Sequence, residues 1–205
     1  MVNVSIVVHN VYKIDELDST ARMSILFEKR WMDFRLVTNC SHKPISLSPE
    51  EIPKIWKPPV GIIFPLSAEQ NPAPVSMEQL VILETGKVFY QDLYQLKLSC
   101  FFDLTYFPFD PMKCDMGVAA PQTIIANSDR YEVVWNHENP VRVGGKYIVM
   151  ASHFYSGFSM ERVVKKFKQR EISVRKVRLH FRRHVMYYFL QCYIPNSVTV
   201  GKNLS

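Results

Sequence analysis

The side chains in this sequence that could do chemistry are few, and their spacing excludes more than it supports. Cys100 and Cys114 flank thirteen residues, and their sulfurs could close that loop as a disulfide or remain two unrelated buried thiols. Closing a loop of that span would remove roughly 3 kcal/mol of chain freedom from the unfolded state. The loop carries the turn Phe107-Pro108-Phe109-Asp110, and Asp103 and Asp110 within it read as turn caps rather than as an acid–base pair. The six histidines, at 9, 42, 137, 153, 180 and 184, are scattered along the chain. There is no His-Glu-x-x-His, no Cys-x-x-Cys, no glycine-rich phosphate loop and no Gly-x-Ser-x-Gly turn. These residues read as a protein that is not an enzyme, with no cofactor and no metal site.

The elements that must position these groups are strands. Val4, Ile6 and Val8 alternate with Asn3, Ser5 and His9, which is the period of a half-buried strand. Asp15 to Thr20 interrupts the pattern with turn-forming acids, and Ala21, Met23, Ile25 and Phe27 restart it, so a hairpin is expected. From Asn39 to Pro74 proline is frequent and alternation absent, which predicts long loops and short turns. A further set of strands around a glycine turn is expected at Leu80 to Leu83, at Gly86 to Tyr90 and at Leu96, Leu98 and Cys100. Others are expected at Tyr131 to Trp135, at Lys146 to Met150 and around Val177, Leu179 and Phe181. The sum is an all-β fold, an antiparallel two-sheet sandwich of about ten strands.

At 205 residues, 47% hydrophobic and 21% charged, the chain has the composition of a folded domain with a full core. No run of eighteen apolar residues occurs, and Val185 to Ile194 before Pro195 is about half a membrane span. The net charge of +6 is concentrated: 162 to 183 holds ten Lys or Arg, against fifteen bases and seventeen acids outside the 161–184 stretch. Without a recognised binding motif that charge reads as a solvated basic edge, and nucleic acid is not expected as a partner. A structural disulfide implies a secretory route, yet Met1 to Ser5 lacks the start of a signal peptide, so the chain reads as a fragment or an incomplete gene product.

Several motifs together resemble one family. The cysteine spacing and Phe107-Pro108-Phe109-Asp110 look like the signature loop of the Cys-loop receptors, the pentameric neurotransmitter-gated ion channels. Trp31-Met32-Asp33-Phe34-Arg35-Leu36 resembles their W-x-D-x-R-L strand motif. Trp56-Lys57-Pro58-Pro59 resembles their W-x-P-D, with proline in place of the acid. Arg183 followed by Tyr187-Tyr188 and Gln191-Cys192-Tyr193-Ile194-Pro195 resembles the entry into the first membrane helix. That form belongs to the anion-channel branch gated by GABA, glycine or glutamate.

The resemblance implies a Cys100–Cys114 disulfide. It implies an extracellular ligand-binding sandwich over residues 1–184, with 185–205 as the truncated start of a transmembrane segment. It implies a homo- or hetero-pentamer at the plasma membrane, with a small-molecule ligand between subunits. Carried over residue by residue, the ligand-binding set is Phe27, Lys29, Ala120, Pro121, Phe167 and Ile172. The gating-coupling set is Asp15, Glu16, Asp18, Phe107, Pro108, Phe109, Asp110 and Arg183. The aromatic box that holds an ammonium in the family is largely lost, because Ala119 to Thr123 has neither ring nor acid. The arginine that grips carboxylate transmitters aligns with Glu28, and a second aligns with Leu93, so a carboxylate is expected to meet repulsion there. The alternative reading is a soluble secreted binding protein of the acetylcholine-binding type. An unrelated adhesion-type sandwich leaves Tyr187-Tyr188 and Gln191 to Pro195 unexplained.

Overall fold

Strand β1 (Val2–Asp15) and strand β2 (Thr20–Met32) form the hairpin that alternation predicts, and their inward residues make the floor of the core. Val4, Ile6, Val8, Ala21, Met23, Ile25 and Phe27 are wholly buried. Burying a side chain of this size stabilises by about 1.5–3 kcal/mol, which makes the two strands' register expensive to shift. β1 accommodates two irregularities, at His9 and Tyr12, which keep Val11 on the core side.

A computed structural model describes residues 1–37, 43–70, 77–120, 132–144, 150, 152–167 and 170–203, the side chains at 165–167, 170–172 and 201–203 excepted. After β2 come four short strands, β3 (Ile45–Ser46), β4 (Gly61–Ile63), β5 (Ser67–Gln70) and β6 (Gln79–Ile82). The long β7 (Lys87–Phe102) and β8 (Pro111–Ala119) follow, then β9 (Val133–Trp135) and β10 (Val141–Val143), and finally the hairpin β11 (His153–Phe167) and β12 (Arg170–Arg183). The main path of pairing runs β10-β1-β2-β7-β8-β12-β11. β7 pairs with β2 from Lys87 to Ser99 and with β8 from Cys100 to Phe102, so one strand passes from the first layer into the second. The sheet thus curls into a sandwich, with Met116, Val118, Val177, Leu179 and Phe181 closing the core from the far side. Arg175 ties the layers at one rim, its Nε donating to the Val133 carbonyl at 2.8 Å.

The expected sandwich is present, but its pairing is not wholly antiparallel. β9 and β10 run parallel to β1, three residues each, along the edge that β2 leaves open. Short parallel additions of this kind cover a sheet edge that would otherwise present unpaired backbone groups. Among its described residues, the segment expected to be loops holds β3, β4, β5 and a 3₁₀ turn at Ile52–Lys54. The strand expected at Lys146 to Met150 lies, but for Met150, outside the described residues.

Two of the family motifs have a local reason. Trp31 is buried edge-on against Trp56 at 6.5 Å, so the two tryptophan motifs are one contact. Asp33 caps the 3₁₀ turn Phe34–Leu36 through the Arg35 amide and forms a fork with the Arg35 guanidinium, at 2.9 and 2.7 Å. The Asp33 amide in turn donates to Gly86, whose φ of +76° favours glycine and whose added Cβ would lie 2.6 Å from the Asp33 oxygen.

β12 hands over at His184 to a helical stretch made of Val185–Tyr188, a π-helical turn at Phe189–Tyr193 and Ile194–Asn203. Pro195 cannot donate to the carbonyl four residues back, and the wider π turn sits where that bond is lost. Among the described residues no helix is long and apolar enough to cross a membrane.

Candidate functional site

The disulfide is formed. Cys100 and Cys114 are directly paired residues on β7 and β8, with Cα atoms 4.1 Å apart. The loop it closes makes a 3₁₀ turn at Leu104–Tyr106, capped by Asp103, whose carboxylate accepts from the Thr105 amide at 3.2 Å. The Phe107-Pro108 peptide is cis. Pro108 and Asp110 turn inward, while Phe109 faces out.

Arg183, the last residue of β12, is the centre on which separate parts of the chain converge. Its side chain and that of Asp110 are each 1% exposed, and Nη1 is ion-paired and hydrogen-bonded to Asp110 Oδ1. Its Nε donates to Glu16 Oε1 at 3.3 Å, and Nη2 stands 3.2 Å from Oε2 of the same carboxylate. The guanidinium lies over the rings of Phe107 at 4.8 Å, Tyr188 at 5.3 Å and Phe102 at 5.8 Å. The Tyr188 hydroxyl donates to Glu16, and its ring meets Phe107 edge-on at 5.5 Å. One cation therefore links the β1–β2 turn, the disulfide loop, the last strand and the start of the helical stretch.

Of the acids expected at this junction, Glu16 and Asp110 reach Arg183. Asp15 instead takes Lys13 at 2.7 Å, which holds its carboxyl below the usual range. Asp18 stands 3.9 Å from Lys97. Two members were not singled out from sequence. Tyr188 sits inside a motif that pointed to the membrane boundary rather than to this contact. His153 carries no sequence signal; it starts β11, opposite Arg183, and is 1% exposed.

Of the ligand-binding set, Phe27, Lys29 and Ala120 have described side chains, and all three are buried. Phe27 and Lys29 are on the core-facing side of β2, because the period of two that buries Met23 and Ile25 buries them too. Phe27 packs on Tyr94 at 6.3 Å, and the Lys29 ammonium lies between the rings of Phe27 (5.2 Å) and Tyr90 (5.4 Å). Burial, helped by the neighbouring charge of Lys57, lowers Lys29 to about 8. Around it the Tyr90 hydroxyl and the Lys57 ammonium both donate to Glu78 at 2.8 Å. Asp92 accepts from Gln70 and the Leu93 amide, and burial raises its carboxyl above the ordinary range. This is a charged layer running from the buried Lys29 and Asp92 out to the partly exposed Glu78 and Lys57, in which the protein's own lysine fills an aromatic cage. Ala120 is buried at the end of β8. Pro121 lies outside the described residues, as do the side chains of Phe167 and Ile172, whose backbones pair within the β11–β12 hairpin.

The outward face of β2 presents Leu26, Glu28 and Arg30 instead. The expectation that Glu28 opposes a carboxylate needs correction. Its side chain is 5% exposed and accepts from Ser5 Oγ at 2.7 Å and from the Arg142 guanidinium, with Arg30 at 3.6 Å. One buried acid carries two arginines exposed by 41% and 44%, so the local charge toward solvent is positive.

A curled β-sandwich whose disulfide-closed loop, first hairpin turn and terminal arginine meet at one end defines the extracellular domain class of ligand-gated channels. A family model described as the neurotransmitter-gated ion-channel ligand binding domain matches residues 1–189, and the chain belongs to that family. Among curated proteins of Caenorhabditis elegans it is similar to ligand-gated ion channel 50, 26% identical over 97% of this chain and 40% of that protein. It is 24% identical to the serotonin-gated chloride channel mod-1, again over 97% of this chain and 40% of the relative. It is 25% identical to the acetylcholine-gated chloride channel subunit acc-2, over 96% of this chain and 44% of the relative. The chain thus spans less than half the length of these relatives.

Proposed function

We propose that this chain is the extracellular ligand-binding portion of a plasma-membrane subunit in a pentameric ligand-gated ion channel of the anion-conducting branch. Its sandwich would occupy 1–184, with the first membrane segment beginning at 185. The observation that carries the reading is the shared cation: Arg183 joins Glu16, Asp110 and the base of the helical stretch, so a shift of either layer must be felt where the chain leaves the sandwich. Charges about 4 Å apart interact by about 4 kcal/mol at an effective dielectric near 20, enough to bias two arrangements of such a junction. The names of the relatives, one a serotonin-gated chloride channel and one an acetylcholine-gated chloride channel subunit, support a small organic ligand and chloride as the ion.

The ligand would be taken between neighbouring subunits. The cage around Lys29 is already filled by its own ammonium, which argues against an external amine in that interior. The guanidiniums of Arg30 and Arg142, held by the buried Glu28, are the groups of that outward face available to a neighbour or ligand.

The test is to express the full-length subunit in oocytes and record current while applying serotonin, acetylcholine and amino acids. A ligand-evoked chloride current is expected. A full-length transcript with no apolar helices beyond the sandwich would overturn the reading.

A further inference from the structure

His153 is a buried member of the charged junction that makes no hydrogen bond to its charged groups among the described residues. Its Nδ1 lies 3.0 Å from Ser152 Oγ, while Nε2 has no hydrogen-bond partner among the described residues and faces Glu16 Oε1 at 3.6 Å. That gap is too long for a charge-assisted hydrogen bond, which would settle near about 2.8 Å. Among the described residues, these groups face the ring. Glu16 approaches from the β1–β2 turn, and Arg183 and His184 from the end of β12. Tyr188 approaches from the helical stretch, edge-on at 6.4 Å, and Asp110 from the disulfide loop, through Arg183. With the imidazole neutral, two carboxylates, Glu16 and Asp110, divide one guanidinium.

We propose that His153 is a proton-responsive element of the coupling junction: a proton taken up on Nε2 draws the Glu16 carboxylate off its shared position on Arg183, leaving Arg183 to Asp110. Two acids then have two cations, and the first hairpin is tied to β11 as well as to β12. The proton comes from bulk solvent, and no bond other than N–H forms or breaks. By linkage the effect is reciprocal. Any movement of the hairpin that brings Glu16 onto His153 strengthens proton binding, and acid favours that arrangement. Burial keeps the imidazole neutral at physiological pH, pushing it down to about 4 against the opposing pull of Glu16. The device therefore responds to acid rather than to small changes near neutrality.

The consequence for gating rests on the channel reading above, whereas the titration does not. Two measurements on the full-length subunit separate them. Exchange of the histidine Cε1 proton, followed by mass spectrometry, reports the midpoint of His153. It is expected near 4 and at least one pH unit, tenfold in proton concentration, lower in Glu16→Gln. A midpoint of ordinary value, or one that Glu16→Gln leaves in place, overturns the proposal. In oocytes, acid applied outside is expected to change the wild-type current, with the midpoint displaced at least tenfold in proton concentration, or abolished, in His153→Gln at matched surface expression. An identical acid response in His153→Gln also overturns it. If the exchange midpoint depends on Glu16 while no variant conducts at all, the channel reading fails and the proton site stands.

Discussion

Asp110 and Arg183 form an ion pair that joins positions 73 residues apart, with both side chains 1% exposed. Breaking a buried pair by removing one partner costs about 3–5 kcal/mol, because the survivor is left as an uncompensated charge. Asp110→Asn leaves Arg183 with Glu16 as its remaining partner, so unfolding stability should fall by less than that, by about 1–3 kcal/mol, in a denaturant titration. In the full-length subunit, Arg183→Glu with surface expression retained should alter gating, and an unchanged dose–response would remove Arg183 from the coupling role.

His153 makes stability depend on acid. Its folded value of about 4 lies below the ordinary 6.5 of the unfolded chain, so the unfolded state binds the proton more readily. The contribution is fully present above 6.5 and is lost as pH falls from there to 4, amounting to about 3 kcal/mol across the window. Thermal unfolding between pH 7.5 and 4 should show the wild type losing this amount relative to His153→Gln, whose curve lacks that component.

Lys29 works at the other end of the scale. Its folded value of about 8 lies below the unfolded 10.5, so stability from this group is present above 10.5 and is lost as pH falls through 10.5 to 8. At neutral pH the buried ammonium is a burden, offset in part by the Phe27 and Tyr90 rings. Lys29→Met should be more stable than wild type at pH 7, and the difference should shrink by about 3 kcal/mol as pH rises from 8 to 10.5. A difference that stays constant with pH would show that the lysine is not buried as described.

The disulfide should be worth about 3 kcal/mol, since the loop it closes is short. Cys100→Ser with Cys114→Ser should lower the denaturation midpoint accordingly, and mass spectrometry of secreted, non-reduced protein should find the two sulfurs joined. Free thiols at both positions would contradict the arrangement of β7 and β8.

Glu28→Gln tests the outward face of β2. The substitution leaves Arg142 and Arg30 without their shared carboxylate, but both guanidiniums are more than a third exposed and can rehydrate, so a cost of about 1–2 kcal/mol is expected. The same change should raise the affinity of that face for simple anions, readable as a steeper dependence of thermal stability on sulfate concentration. No change in that dependence would mean the arginines are held by groups other than Glu28.

The sequence by itself determined the strands of the first hairpin, the turn between them and the cysteine-bounded loop. Each of these rests on patterns a few residues long: a period of two, a run of turn-forming acids, a proline between aromatics. The same local rule places Phe27 and Lys29 on the inner side of β2, since they share parity with Met23 and Ile25. Tertiary structure alone decided which charges meet. Glu16 and Arg183 are 167 residues apart, and Glu28 and Arg142 are 114 apart. Their contacts depend on β7 crossing between layers and on β10 joining the edge of β1. Asp15, Asp18 and Glu16 look alike in a row of acids, and only the curl of the sheet selects Glu16 for Arg183 and leaves the others to lysines. His153 was invisible for the same reason: a buried imidazole acquires meaning from the Glu16 carboxylate in front of it, and that neighbour is set by the packing of two layers, not by the residues beside it in the chain.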